Sequence, residues 1–358
     1  MKTYIKFLIN LFNISFIKVF TIFFFIILIT NILEQVEFFK KIELSFFYLI
    51  FLSFLNTPSI IFEILPFIFL LSTQVFFIQL IDKNELEIFK YTGLNNIGII
   101  KILGIYSFIL GIIFIIFFYH ISSILKSSYL MIKNNHSQDD KYLAVITKNG
   151  LWIKDEINNN INIINAKKLD NEFLIDVFIT KFDQDFNIQE LLQAKKIDIS
   201  IKKWKVINPI FLNNNYQEDT LNDLIFESNF DLKMINSLFS NLSSLSLIDL
   251  NSLRKSYILL NYSVTDIDSH LLKIVSYPIY LTLIVVLSAI IMFNIKYQKN
   301  SFFKIIFGIL LSVIIYYISN FLTVLGKNEK IPLIISIFLP LILLSIINFI
   351  SIIKLNEK

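Results

Sequence analysis

The chain has no cysteine, and Arg254 is its only arginine in 358 residues. The first absence excludes disulfides, thiolate metal sites and cysteine nucleophiles, and is neutral about compartment. The second leaves lysine as nearly the whole basic complement. Together with the abundance of Asn and Ile, it reads as drift in an AT-rich coding sequence, without functional content. Charge is scarce too. Charged residues make up 17% against 55% hydrophobic, with 38 Phe, so a soluble globular reading fails. The formal net charge of +4 is too small to argue for nucleic acid. There is no G-x-x-x-x-G-K-[ST] loop, so ATP is not bound in the P-loop manner, and Gly326-Lys327 stands alone. There is no H-E-x-x-H, and His120, His136 and His270 are far apart in sequence. Without a nucleophile, base or metal constellation, a membrane enzyme is the weakest functional class, and no cofactor is implied.

What the chain does have is long apolar runs. About 20 apolar residues cross roughly 30 Å of hydrocarbon, and six stretches qualify: about 14–33, 58–81, 97–119, 271–295, 302–325 and 331–353. The run Leu44–Leu55 would reach only about 18 Å as a helix. It is expected to be an interfacial or re-entrant approach, with Asn56-Thr57-Pro58 restarting the chain and Pro58 in a first helical turn. The first span is too long for a removable signal peptide and lacks a small-residue cleavage site. Lys2, Lys6, Lys83, Lys90, Lys296, Lys299 and Lys354 fall on one side, against Lys40, Lys41, Lys327 and Lys330 on the other. That bias predicts cytoplasmic termini and an external segment 120–270.

Between the second and third spans lies a charged island, residues 82–96, on the side predicted to be cytoplasmic. Asp82 and Glu85 have the spacing of a capping box, and Leu86 and Phe89 share a face. Lys90 suits a helix C-terminus, and Gly93 suits the left-handed position after it. The pattern predicts a helix of about three turns. An ordinary surface connection is the bland reading; a handle gripped by a soluble partner is the functional one.

Residues 130–265 are polar, Asn-rich and alternating. Asn149-Gly150 between Tyr142–Thr147 and Leu151–Lys154 signals a hairpin. Period-two runs follow at Ile161–Ala166, Phe173–Phe182, Lys195–Ile201 and Trp204–Ile207, which suggests a small sandwich or jelly roll. From Ser246-Leu-Ile-Asp249 the period turns helical through Leu247, Leu250, Leu253 and Tyr257. The predicted fold is a polytopic α-helical membrane protein of 3+3 spans around an inserted β domain. Its parts are an N-terminal block 1–125, a β-rich domain 126–265 and a C-terminal block 266–358.

Several polar residues admit two readings. Gln74 and Gln79 are expected to bond neighbouring helices rather than line a pore. Glu63 faces either a polar cavity or the headgroups. Asp266-x-Asp268-x-His270 imitates a metal cluster but reads as a solvated loop before a span. Lys40 and Lys41 could hold a lipid phosphate, or merely balance Glu37 and Glu43.

These pieces, in this order, resemble the lipopolysaccharide-export permeases of the YjgP/YjgQ family, LptF and LptG, over nearly the full length. Asn84-Glu85-Leu86 followed by Tyr91-Thr92-Gly93 is similar to the family's cytoplasmic S-E-L…(A/S)-G coupling helix. Asn149-Gly150-Leu-Trp-Ile-Lys-Asp155 resembles the segment opening the periplasmic jelly roll of the LptG branch. Tyr277-Pro278, and Ile331-Pro332 through Leu339-Pro340, also match. The resemblance implies a heterodimer with a sister LptF-like permease and a pair of LptB-like ABC ATPases. It also implies a single-span LptC-like regulator and an LptA-like periplasmic bridge. The lipid would be lipopolysaccharide drawn from the inner membrane. Asp82, Glu85, Leu86, Phe89 and Gly93 would couple to the ATPase, with Glu85 matching the family's ATPase-facing acid. Lys40 and Lys41 would hold lipid phosphate, since Glu34 stands where the family often has a basic residue. Asn-rich loops at 157–160 and 213–215 blur the strand boundaries. An LptF-like paralogue of the same fold, and a non-transporting scaffold for periplasmic partners, are the alternatives. A permease half needs an ATPase; a scaffold does not.

Overall fold

Among the described residues of the computed structural model, six helices are long and apolar enough to cross a membrane. The structure describes residues 3–40, 44–91, 93–136, 151–157, 160–170, 172–184, 186–212, 218–220, 223–232, 235, 241–259, 263–294 and 301–356. The chain divides into two units, one of residues 1–126 and 265–358 and one of residues 127–264.

In the first unit α1 spans Thr3–Phe38, α2 Phe46–Asp82, α3 Glu85–Tyr91 and α4 Asn96–Ile113. A π-helical turn, Phe114–Tyr119, joins α4 to α5 (His120–His136), which leads out of the unit. The C-terminal block returns as α7 (Thr265–Asn294), α8 (Ser301–Lys327) and α9 (Leu333–Asn356). The main apolar core joins side chains of α1, α2, α4 and α7, including Phe12, Phe69, Phe76, Leu103 and Val285.

The expected interfacial segment at 44–55 is not a separate element, because α2 runs unbroken through it. Asn56 and Thr57 look like a boundary only if they are exposed, and both are buried. Asn31 of α1 donates to the Thr57 hydroxyl at 3.1 Å and accepts from Asn56 at 3.2 Å. The Thr57 and Ser53 hydroxyls bond back to carbonyls one turn earlier, at 2.7 and 2.8 Å. Pro58 therefore sits inside the helix. At 37 residues α2 is about 55 Å long, well beyond a hydrocarbon core. It still counts as one of the six long apolar helices among the described residues.

A second proline shows how the halves are joined. Pro66 has no N–H, so the Phe62 carbonyl one turn earlier loses its helical partner. The Tyr277 hydroxyl on α7 donates to that carbonyl, with the two rings stacked at 4.7 Å. Nearby, a Cβ on Gly111 would lie 2.8 Å from the Pro278 Cα, so α4 and α7 touch backbone to backbone. Three more side chains bond backbone across helices: Ser288 to the Leu70 carbonyl, Gln74 to the Lys304 carbonyl and Asn348 to the Leu283 carbonyl, at 2.9, 3.0 and 2.9 Å. Gln74 thus joins α2 to α8, as its sequence context predicts. The space it fills exists because Gly308 has no side chain.

Among its described residues the second unit holds an eight-stranded antiparallel sheet: β1 (Leu151–Ile157), β2 (Asn160–Asp170), β3 (Phe173–Phe182), β4 (Ile188–Asp198), β5 (Lys203–Ile207), β6 (Ile210–Leu212), β7 (Glu218–Thr220) and β8 (Leu224–Glu227). The main order is β1-β2-β3-β4-β5-β8, with β6 pairing β4 and β7. The Asn149-Gly150 turn, Tyr142–Thr147 and the 213–215 loop lie outside the described residues, as do 158–159 of the Asn-rich 157–160 loop. β4 begins earlier than its alternation suggests and stops at Asp198. There the carboxylate accepts from the Ser200 N–H and hydroxyl, at 2.9 and 2.5 Å, and turns the chain. One sheet face packs Leu151, Ile153, Ile164, Val177, Ile197 and Trp204 into a closed core. Asp155, fully buried, ties β1 to the residues after β8. It accepts from the Ser228 hydroxyl, the Asn229 N–H and the Asn229 side chain at 2.8, 3.1 and 2.8 Å. The end strands of the sheet are therefore brought together by a carboxylate and not by a backbone ladder. Helix α6 (Leu247–Leu259) starts where Ser246 and Asp249 cap each other reciprocally, as its sequence predicts.

Candidate functional site

The connector between α2 and α4 is built differently from its sequence pattern. Asp82 is the last residue of α2 and not the cap of α3. The helical ladder of the apolar run carries through to Lys83, whose N–H bonds the Gln79 carbonyl at 3.3 Å. The break falls at Asn84, with φ 55, because Asn tolerates the left-handed region better than its neighbours. Helix α3 is thus seven residues, about two turns and not three. Its C-terminus follows the pattern: Gly93 has φ 85, and the Leu94 N–H reaches the Phe89 carbonyl at 2.9 Å, closing a Schellman motif. Asn95 then caps α4 by accepting from the Gly98 N–H at 2.8 Å.

The faces of α3 divide cleanly. Leu86 is 2% exposed and belongs to the membrane-unit core, with Phe89 and Leu94 packed against it. Phe89 also meets Phe7 of α1 at 5.9 Å between ring centroids. The opposite face shows Glu87, Ile88 at 58% and Tyr91 at 88% exposure. Glu85 lies at the border. Its Oε2 is buried and has no hydrogen-bond partner among the described residues. The side chain of Lys90 is outside the described set. Two of the five coupling candidates, Leu86 and Phe89, are therefore anchors to the bundle. Ile88 and Tyr91, which sequence reasoning missed, are the outward apolar groups. Their only signal was the spacing complementary to Leu86 and Phe89.

At the opposite end of the bundle, Lys40 is exposed in the turn after α1, while Phe39 beside it is buried. Lys41 lies outside the described residues. The same end holds a second group of charges that the sequence scatters. Asp266 to His270 is not a loop but the first turns of α7. Asp266 pairs with Lys327 at 2.7 Å, and His270 Nε2 meets the Tyr119 hydroxyl at 3.1 Å. Lys126, Lys273 and Lys327 are all within electrostatic reach of His270, and Glu63 is within reach of Lys126 and Lys273. Glu63 therefore belongs to a polar cluster. Among the described residues no group of three or more His, Cys, Asp or Glu is arranged to hold a metal ion.

Residues 6–354 match the family model described as lipopolysaccharide export system permease LptF/LptG. No curated protein matches the chain.

Proposed function

We propose, for a chain that belongs to the LptF/LptG family of lipopolysaccharide export permeases, the role of the LptG-like half of an ATP-driven exporter. In this reading it sits in the bacterial inner membrane beside an LptF-like sister. Helix α3 faces a cytoplasmic LptB-like ATPase, and the β domain stands in the periplasm. There it passes lipid toward an LptC-like regulator and an LptA-like bridge. The Leu151-Trp-Ile-Lys-Asp155 segment supports the LptG branch.

The observation that carries the reading is the two-faced α3. Force applied to a surface element moves a bundle only if that element is fastened to it. Leu86 in the core and the Phe7–Phe89 contact supply the fastening. Ile88 and Tyr91 present apolar surface where a partner would cover it, and Glu85 stands at the border of that face. At the other end, Lys40 with Lys41 is proposed to meet lipid phosphate.

The test is affinity purification of the full chain in mild detergent. An ABC ATPase and a second six-span permease should co-purify. Glu85→Arg, or Ile88→Asp with Tyr91→Asp, should lose the ATPase while leaving insertion intact. A chain that arrives alone or with periplasmic proteins only would hand the lead to the scaffold reading. Lys40→Glu with Lys41→Glu should weaken lipopolysaccharide crosslinking; unchanged crosslinking removes both from the lipid site.

A further inference from the structure

We infer that the first turn of α8, with Lys304 as its cation, binds the phosphodiester headgroup of an anionic phospholipid at the α3 end of the bundle. The site goes beyond the permease reading and does not depend on it; it needs only that α8 crosses a membrane.

Helix α8 starts at Ser301 and runs for 27 residues. The N–H groups of a first turn have no partner within their own helix, and the aligned peptide dipoles place about half a positive charge there. Acidic side chains often offset that charge. The first turn of α8 has none, and the sequence has no acidic residue between Asp268 and Glu329. It supplies Lys304 instead, with Lys296 and Lys299 shortly before it in the sequence. A long side chain on a helix leans back toward the N-terminus, so the Lys304 stem carries its ammonium over those N–H groups. Lys304 is 4% exposed, and among the described residues its ammonium has neither a hydrogen-bond acceptor nor a carboxylate within reach. A cation withdrawn from water without an acceptor is costly, so the position calls for an anion.

The turn is held in place. Gln74 of α2 donates to the Lys304 carbonyl at 3.0 Å, and its amide fills the space that a Cβ on Gly308 would take. Gln74 lies eight residues before the end of α2 at Asp82, about 12 Å along the axis. Helix α8 therefore begins at the α3 end, tied to the helix that leads into α3. A phosphate oxygen placed there accepts from the free N–H groups and from the ammonium together, as phosphates do at helix N-termini. The flanking residues favour a lipid over a soluble phosphate. Phe303, Phe307 and Leu310 are all exposed, at the spacing of one helical stripe. The stripe runs from the first turn along α8 into the span, the path of an acyl chain leaving its headgroup. A soluble phosphate gains nothing from it.

The experiment is native mass spectrometry of the full chain in neutral detergent, after titration with phosphatidylglycerol, with phosphatidylcholine, or with phosphatidylglycerol against inorganic phosphate. The wild type should retain phosphatidylglycerol about tenfold more tightly than phosphatidylcholine, the worth of a charge-assisted contact. Lys304→Gln should remove most of that preference, and Lys304→Arg should keep it. Gly308→Ala moves only the flexible end of Gln74 off the Lys304 carbonyl, and should weaken retention with the charge still present. Melting temperature supplies a second readout. Lys304→Gln deletes an unpaired buried charge, so it should melt higher than the wild type without lipid and lose the further rise that phosphatidylglycerol gives the wild type. A lysine with a packing role alone would give the reverse, a lower melting temperature with the lipid response intact, and would overturn the site. Equal retention of the two lipids by the wild type, or unchanged retention in Lys304→Gln, would overturn it too. Displacement of phosphatidylglycerol by inorganic phosphate would assign the turn to a soluble anion and overturn the lipid. None of these readouts involves the ATPase, so the permease reading stands or falls separately on co-purification.

Discussion

Replacing Tyr277 with Phe tests how the two halves of the membrane unit are held together. The substitution keeps the ring, and with it the 4.7 Å stack on Phe62, and removes only the hydroxyl that donates to the Phe62 carbonyl. That carbonyl has no alternative donor one turn on, because Pro66 has no N–H. An orphaned buried carbonyl costs about 1–3 kcal/mol. Interhelical hydrogen bonds in membrane proteins average about 0.6 kcal/mol, with the largest near 1.7. The Tyr277 bond belongs near that upper end, so Tyr277→Phe should cost about 1–1.5 kcal/mol. Pro66→Ala supplies the missing N–H from within α2. In that background Tyr277→Phe should cost under about 0.5 kcal/mol, giving a coupling of about 1 kcal/mol in a double-mutant cycle. Equilibrium unfolding of the full chain in mixed micelles, titrated with denaturing detergent, measures all four corners. An equal cost for Tyr277→Phe in both backgrounds would refute the reasoning, because the hydroxyl would then be stabilising something other than the proline-freed carbonyl.

Three further outcomes follow from the same kind of accounting. Asp155→Ala strips three hydrogen bonds from a buried carboxylate and leaves the Asn229 N–H and the Ser228 hydroxyl without it, so it should destabilise the β unit by about 3 kcal/mol. Faster proteolysis between β8 and α6 in the full chain would show it, and an unchanged cleavage rate would remove the clasp. Gly111→Ala forces a methyl group toward the Pro278 backbone, which has no rotamer to yield, and should cost about 1–3 kcal/mol in the same micelle titration, whereas a cost below about 0.5 would mean the helices separate freely. Hydrogen bonds from the Ser200 hydroxyl and N–H hold the Asp198 carboxyl below its ordinary 3.8. Its stabilising effect is therefore complete above that value and lost as pH falls below it. Ser200→Ala should move acid unfolding of the β unit, followed by Trp204 fluorescence, to higher pH, and an unmoved midpoint would contradict it.

The fold was largely legible because its signals are periodic. Apolar runs mark the six crossings, alternation marks β2, β3 and β5, and the Ser246–Asp249 spacing marks the start of α6. The mismatches share a physical cause: the polarity of a stretch does not say what lies opposite it in the fold. Asn56-Thr57-Pro58 looked like a boundary, but Asn31, 25 residues earlier, satisfies it inside a helix pair. Asp82 and Glu85 have capping-box spacing, yet the long ladder of α2 and the left-handed Asn84 decide where the turn falls. The charged cluster was the least legible part. Glu63, Lys126, Lys273 and Lys327 sit on four helices, and the contact that aligns them, Tyr119 with His270, spans 151 residues. The short strands β6 and β7, at three residues each, are below the length at which alternation can be recognised.

The continuity of α2 bears on mechanism more than any single side chain does. In the proposed exporter, the ATPase pushes on α3 and the lipid headgroup lies at the far end of the bundle. Asp82 and Glu63 belong to one helix and are separated by 19 residues, about 28 Å along its axis. A break and restart at Pro58 would leave the Glu63–Asp82 stretch a rod but end it five residues beyond Glu63. The unbroken α2 extends it past Glu63 to Phe46. Pro66 is the one place between Glu63 and Asp82 where the ladder loses a bond, and there Tyr277 replaces it from α7. Ser288 and Gln74 add two more ties along the same stretch, one to α7 and one to α8. A displacement of α3 therefore reaches the charged end through α2 braced on α7. Loosening the brace with Tyr277→Phe should lower lipid release per ATP hydrolysed, whereas loosening the docking face with Ile88→Asp should lower hydrolysis and release together.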